Sequence, residues 1–197
     1  MAQVAYSKHW QTANLIDGND LGVVVLLNQQ PVGNLNVQLK KDNLRLQSEV
    51  FFQPNHWKNF YNGAEKIAEL SALAIELERS HQMWPLILKA LILGAHELCY
   101  LYHIKFLATI QRQLTVKIFS RLGLPLVKNE RVKKSSNIPN DRYWTSKPFP
   151  ALYYLNPFAL KTIEQCEKFS FEIQKQVKTT FVCELEGDRY FNTRKAS

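Results

Sequence analysis

Ala64-Glu-Lys-Ile-Ala-Glu-Leu-Ser-Ala-Leu-Ala-Ile75, Met83–Tyr102, Ile104-Lys-Phe-Leu-Ala-Thr-Ile110 and Leu114–Leu122 follow one another along a single stretch of this chain. The first segment predicts a strand over Ile67–Ile75, followed by a loop, Glu76–Gln82. Pro85 suits the first turn of a helix, where its missing N–H costs nothing. Leu86, Ile87, Leu88, Leu91, Ile92, Leu93 and Leu98 surround that helix with apolar side chains, so it is expected to be buried. A second strand ends at Ile110, and Gly123 stops the helix that follows it. Strand, helix, strand, helix predicts a parallel pair of strands inside a mixed sheet.

Outward from this stretch, Leu21–Leu27 is Val-rich and reads as a strand. Val32–Leu39 alternates polar Asn34, Asn36 and Gln38 with Gly33, Leu35, Val37 and Leu39, which predicts a half-buried strand antiparallel to the first. Residues 41–63, with Phe51, Phe52, Trp57, Phe60 and Tyr61, read as an irregular or helical crossover over the sheet. Lys128–Pro139 reads as an exposed basic loop, and the proline-broken Tyr143–Tyr154 as edge strands. Phe158–Val177 repeats apolar residues at Leu160, Ile163, Cys166, Phe169, Ile173 and Val177, the pattern of an amphipathic helix. Thr179–Leu185 reads as a last strand. The expected organisation is a core over 15–155 and a helix-plus-strand extension over 156–197.

Composition narrows the function classes. The 197 residues are 46% hydrophobic, which suits a packed domain. Leu86–Tyr102 is too short, and too interrupted by Lys89, His96 and Glu97, to read as a membrane span, and no signal segment is recognisable. Cys99, Cys166 and Cys183 form no CxxC pair, so reduced thiols in a cytoplasmic protein and no metal site are expected. The net charge is +8, and residues 103–147 carry all of it, with ten Lys or Arg against Glu130 and Asp141. Such a segment attracts a polyanion: an acidic carrier protein, a phosphorylated cofactor, a phospholipid surface for peripheral membrane association, or nucleic acid. Its other reading is an ordinary solvated face. No helix-turn-helix, zinc or RNA-recognition signature accompanies it, so nucleic acid is not the expected partner.

Three stretches carry a resemblance. Asp17 and Asp20 precede a strand, a turn and Pro31-Val-Gly33. Glu69-Leu-Ser71-x-x-Ala74-Ile75 lies on the central strand. Ile118-Phe119-Ser-Arg-Leu-Gly123-Leu124 ends the second helix. In this order they resemble the GNAT acyltransferases, and more narrowly the acyl-homoserine-lactone synthases and N-acyl amino acid synthases. The resemblance implies an α/β fold with a mixed, mostly antiparallel sheet, helices on both faces and a C-terminal helical extension. It implies transfer of an acyl group from a thioester to the amine of an amino acid or similar small acceptor. No tightly bound cofactor is implied; the donor is acyl-phosphopantetheine on acyl carrier protein, or acyl-CoA.

The same resemblance assigns residues. Glu69 stands where those synthases have a proposed general base, and Ser71 lies beside it as a second catalytic residue; the plain alternative is Glu69 at an exposed strand start, paired with Lys66. Leu73, Ala74 and Ile75 supply backbone groups for the thioester carbonyl. Arg79, Ser80, His81, Gln82 and Met83 form the donor-phosphate loop. Asp17 and Asp20 either orient the acceptor or hold a turn. Arg131, Lys133 and Lys134 are the expected carrier-protein contacts. Several positions depart from the pattern. Gln82 and Trp84 replace loop glycines that would let a pyrophosphate approach, which points to a carrier protein rather than free acetyl-CoA. Ala72 and Asn36 stand where the synthases have arginines, and Phe119 where GNAT enzymes have a tyrosine. The N-terminal strand and helices that shape the acceptor site in those synthases are mostly missing ahead of Asp17. A non-catalytic module of this fold that binds an acyl carrier, and a CoA-dependent N-acetyltransferase, are the competing readings.

Overall fold

A computed structural model describes residues 20–58, 60, 66–76 and 82–176. Its elements run β1 (Leu21–Leu27), β2 (Gln30–Leu39), α1 (Gln47–Phe51), β3 (Ile67–Ile75), α2 (Trp84–Leu101), β4 (Phe106–Gln111), α3 (Gln113–Arg121), β5 (Val127–Lys128), α4 (Arg142–Thr145), β6 (Ala151–Leu155) and α5 (Leu160–Gln176). The strands form one six-stranded sheet in the order β1-β2-β3-β4-β6-β5. β1, β2 and β3 are antiparallel neighbours, β3 and β4 are parallel, and β6 is antiparallel to β4 and β5. This is the mixed, mostly antiparallel sheet that the resemblance implies, and it holds the parallel pair that the residue pattern predicts.

The apolar helix α2 lies across one face. Its Ile87, Leu91 and Ala95 pack on Val32 and Leu35 of β2, and its Cys99 packs with Val37, Ala68 and Leu107. Gly94 lets the helix settle close to β1: a Cβ there would sit 2.5 Å from a methyl of Val23. α5 covers the outer side of α2 through Cys166, Phe169 and Ile173, and a Lys89–Glu172 ion pair joins the two helices. The opposite face carries Ile67, Phe106, Ala108, Leu152 and Tyr154, roofed by Leu46, Phe51, Phe52, Trp57 and Trp144. α1 has only five residues, too few to persist alone, so this roof holds it in place.

Three local expectations are corrected. Tyr143–Tyr154 does not form edge strands: Arg142–Thr145 is a helical turn, N-capped by Asp141, and β6 is an interior strand paired on both sides. The edge is instead β5, made from Val127–Lys128 at the start of the expected loop, with Asn129 buried behind it. Aromatic residues broken by prolines suit an edge as well as a buried strand, and only pairing distinguishes the two. Leu160 is exposed, so the buried stripe of α5 begins at Thr162. Thr179–Leu185 lies outside the described residues.

Substituting Gly94 by valine would push α2 off β1. The added bulk meets the stiff β-branched Val23, so a loss of roughly 1–3 kcal/mol in unfolding free energy is expected, read as a lower urea midpoint with unchanged m-value.

Candidate functional site

β3 and β4 pair from Ile67–Phe106 to Leu70–Thr109, where the parallel ladder ends, yet both strands continue. Thr109 closes the junction, its hydroxyl donating to the Leu70 carbonyl at 3.0 Å. Just beyond, β3 takes an extra residue. Asn36 faces Ser71 and Asn34 faces Ala74, so three steps on β3 match two on β2. The bulge centres on Ala72, whose φ of 51° is left-handed. That conformation costs a non-glycine residue roughly 1–2 kcal/mol, offset here by Asn34 Nδ2 donating to the Ala72 carbonyl at 2.8 Å. Strand edges alternate along the chain. Glu76 N–H donates toward β2, to the Val32 carbonyl, so Leu73 and Ile75 turn their peptide groups toward the gap that β4 has left.

The bulge also resets which side chains share a face. Simple alternation from Glu69 places Ser71 and Leu73 together; the extra residue moves Leu73 and Ile75 to the α2 side, among Met83, Trp84, Ile118, Phe119 and Leu122. Those half-buried apolar groups come from the end of β3, the start of α2 and the C-terminal half of α3. Gln82 is exposed and Met83 caps the start of α2. Arg79, Ser80, His81 and Asp17 lie outside the described residues.

Glu69 and Ser71 point to the other face. In register beside them, β2 lays Gln38 opposite Glu69 and Asn36 opposite Ser71, with Asn34 one step on. All three amides are half-buried, and Asn34 Oδ1 is a buried acceptor with no partner. Glu69 itself is 1% exposed. It does not pair with Lys66. Its Oε2 accepts from the Ser48 N–H at 2.8 Å and lies 2.6 Å from Ser48 Oγ. Ser48 sits there because its neighbour Glu49 pins α1, accepting from the N–H groups of Leu46 and Asn55 and pairing with Lys40 at 3.1 Å. From Ser48 a buried polar chain continues. His56 Nε2 is 2.9 Å from Ser48 Oγ, His56 Nδ1 is 2.8 Å from the Tyr154 hydroxyl, and Asn129 Nδ2 donates to that hydroxyl at 2.8 Å.

Burial dominates the ionisation of these groups. It pushes the Glu69 carboxyl up to about 7 against the two Ser48 bonds, with the Glu49 charge adding to the rise. It pushes His56 down to about 4, opposed by Glu49, and raises Tyr154 to about 12.

The remaining expected site residues are placed as follows. Asp20 accepts from Leu39 N–H at 2.9 Å and pairs with Lys41, so its carboxylate ties β1 to the end of β2. Arg131, Lys133 and Lys134 are exposed. Lys134 bridges to Phe52 and lies 4.8 Å from the Phe149 ring, which runs this segment beside α1 on the Glu69 face. Arg112, counted with the basic segment, is buried and donates to the Tyr143 and Ser146 carbonyls. Among the described residues no cluster of His, Cys, Asp or Glu could hold a metal ion. Ser48, His56, Asn129 and Tyr154 carry no spacing signal in the sequence. The amide row on β2 was visible there as alternation, without anything to say what it faced.

A mixed sheet whose parallel central strands part beside a bulge defines the GNAT-like fold class. No protein-family model and no curated protein sequence matches this chain. Solved structures do. BjaI, a CoA-dependent acyl-homoserine lactone synthase crystallised with MTA, superposes with a TM-score of 0.59 at 15% identity, over 86% of this chain and 78% of BjaI. TofI, in a ternary complex with an inhibitor and MTA, gives 0.54 at 11% identity, over 84% and 85%. MesI, a CoA-dependent acyl-homoserine lactone synthase, gives 0.51 at 15%, over 78% and 71%. At these identities the likeness is one of fold.

The raised Glu69 carboxyl has a consequence for stability. The folded state holds the proton up to about pH 7 and the unfolded chain only to about 4.5. Stability from this group is therefore present below pH 4.5 and lost as pH rises to 7, by roughly 3 kcal/mol. His56 acts in the opposite sense over about pH 4 to 6.5, so the wild-type profile alone conceals the effect. Denaturation of wild type and Glu69→Gln in parallel should show the wild type losing ground to the variant by about that amount between pH 4.5 and 7.5.

Proposed function

We propose that this protein is an acyltransferase that moves an acyl group from a thioester donor to the amine of a small acceptor. The observation that carries the reading is the parting of β3 and β4 next to the Ala72 bulge, with a buried carboxylate of raised pKa just behind it. A thioester lying in the gap, along the apolar wall of Leu73, Met83 and Ile118, would meet the peptide N–H groups of Leu73 and Ile75 at its carbonyl. Oriented backbone donors of this kind stabilise an oxyanion as it forms.

The acceptor's place is the polar floor of Asn34, Asn36, Gln38 and Ser71. Its ammonium gives one proton to Glu69. Glu69 and Ser71 are about 6.6 Å apart along the strand, so an ammonium held at Ser71 passes its proton to Glu69 through the Ser71 hydroxyl or one water. The free amine then attacks the carbonyl carbon, the C–S bond breaks, and the thiolate leaves with the second amine proton. A base that titrates near neutral pH suits this task. Phe119 offers no hydroxyl at the leaving-group side, which favours the non-catalytic, donor-binding reading as the alternative.

The donor we favour is an acyl carrier protein. The supports are Trp84 at the start of α2 and the exposed Arg131, Lys133 and Lys134. BjaI, which shares the fold, has been captured with SAM and isopentyl-CoA, so acyl-CoA is the donor to assay beside it.

Two experiments test this. Glu69→Gln should lower acyl transfer roughly 10²–10⁴-fold, the scale of a lost general base, while donor binding holds; an unchanged rate in a folded variant removes Glu69 from the mechanism, and a wild type inert with every thioester leaves the binding module. Reversing charge at Lys133 and Lys134 should weaken acyl-carrier binding by roughly tenfold at low salt and flatten its salt dependence. Equal affinity for acetyl-CoA and the carrier would count against the carrier as donor.

A further inference from the structure

Tyr154 and Ser48 each have one hydroxyl proton and two places to put it. The Tyr154 oxygen lies 2.8 Å from His56 Nδ1 and 2.9 Å from the His56 carbonyl. The Ser48 oxygen lies 2.6 Å from Glu69 Oε2 and 2.9 Å from His56 Nε2. Between them stands His56, 1% exposed, whose two ring nitrogens swap donor and acceptor roles with the tautomer. Asn129 fills in on either side, since its Nδ2 reaches both the Tyr154 hydroxyl at 2.8 Å and the His56 carbonyl at 3.4 Å.

Two complete proton arrangements satisfy these distances. With Glu69 ionised, Ser48 O–H donates to Glu69, His56 Nε2–H to Ser48, and Tyr154 O–H to His56 Nδ1. With Glu69 protonated on Oε2, Glu69 O–H donates to Ser48, Ser48 O–H to His56 Nε2, His56 Nδ1–H to Tyr154, and Tyr154 O–H to the His56 carbonyl. The first holds three protons and the second four. The difference is the single proton on Glu69, and His56 stays neutral throughout. A fixed-direction partner would leave a buried donor facing a donor in one of the two states, at a cost that buried polar groups rarely bear.

We propose that Ser48, His56 and Tyr154 are positioning residues for Glu69: a buried hydrogen-bonded chain that reverses direction, with a change of His56 tautomer, whenever Glu69 gains or loses its proton. The role in catalysis rests on the reading of Glu69 as base; the coupling itself does not. The charged and titratable groups facing Glu69 are Glu49 from α1, with Lys40 paired to it, His56 from the turn after α1, and Tyr154 from β6. Glu49 pairs with Lys40 and accepts two backbone N–H groups, so it serves to hold α1, and His56 charges only near pH 4.

The test is ¹⁵N NMR of the histidine-labelled full chain from pH 5 to 9. His56 should carry its proton on Nε2 at high pH and on Nδ1 at low pH, with a midpoint near 7 and no positive charge. In Glu69→Gln one tautomer should persist across the range. A single His56 tautomer in the wild type, or a switch that survives Glu69→Gln, overturns the proposal. In the kinetic arm, Ser48→Ala removes a hydrogen bond that favours the ionised carboxylate. The acidic limb of kcat/KM should then move up by roughly one to two pH units, and Ser48→Thr should restore it. An unmoved limb in an active, folded variant overturns the positioning role. A tautomer switch in a wild type with no acyl transfer upholds the coupling and sinks the reading of Glu69 as base.

Discussion

One extra residue in β3 organises this molecule. By inserting Ala72 into the ladder with β2, the chain bends the strand where its pairing with β4 ends. The bulge moves Leu73 and Ile75 onto the α2 face, where they join the apolar cluster of α2, α3 and α5. It leaves Glu69 and Ser71 on the opposite face, among amides. One backbone irregularity therefore separates an apolar side of the strand from a polar, amide-lined one, and turns peptide groups toward the side that β4 has left. The Asn34 side chain is part of the device, since its amide N–H binds the strained carbonyl.

The polar side is held by a second constraint. A buried carboxylate is costly unless it is hydrogen-bonded, and Ser48 of α1 brings two donors to Oε2 of Glu69. A five-residue helix with no stability of its own is positioned by Glu49 and by the aromatic roof, and in return it supplies both donors to Glu69. The crossover from β2 to β3 thus does more than cover the sheet.

The basic segment divides on inspection. Arg112 is spent on backbone carbonyls of the α4 turn, and Lys128 pairs with Glu130. Arg131, Lys133 and Lys134 stay exposed along the roof over Glu69. Lys105, Lys117, Arg121, Arg142 and Lys147 are exposed as well, so most of the local charge excess stays at the surface.

The sequence by itself determined the periodic parts of this protein. Ile67–Ile75, the all-round apolar α2 and the alternating β2 are each written in spacings of two or in a long apolar run, so their type, order and the parallel pairing of β3 with β4 could be read directly. Glu69 also stood out, as a carboxylate within a strand pattern. What only the tertiary structure decided are the contacts between residues far apart in the chain: the bulge that breaks the alternation at Ala72, the interior place of β6, and the joining of Glu69 to Ser48, His56, Tyr154 and Asn129. Periodicity reports which side of one element faces inward. It carries no information on which distant hydroxyl or imidazole will meet a buried carboxylate, because that depends on how separate elements pack, and the need of buried polar groups for partners is met only once they do.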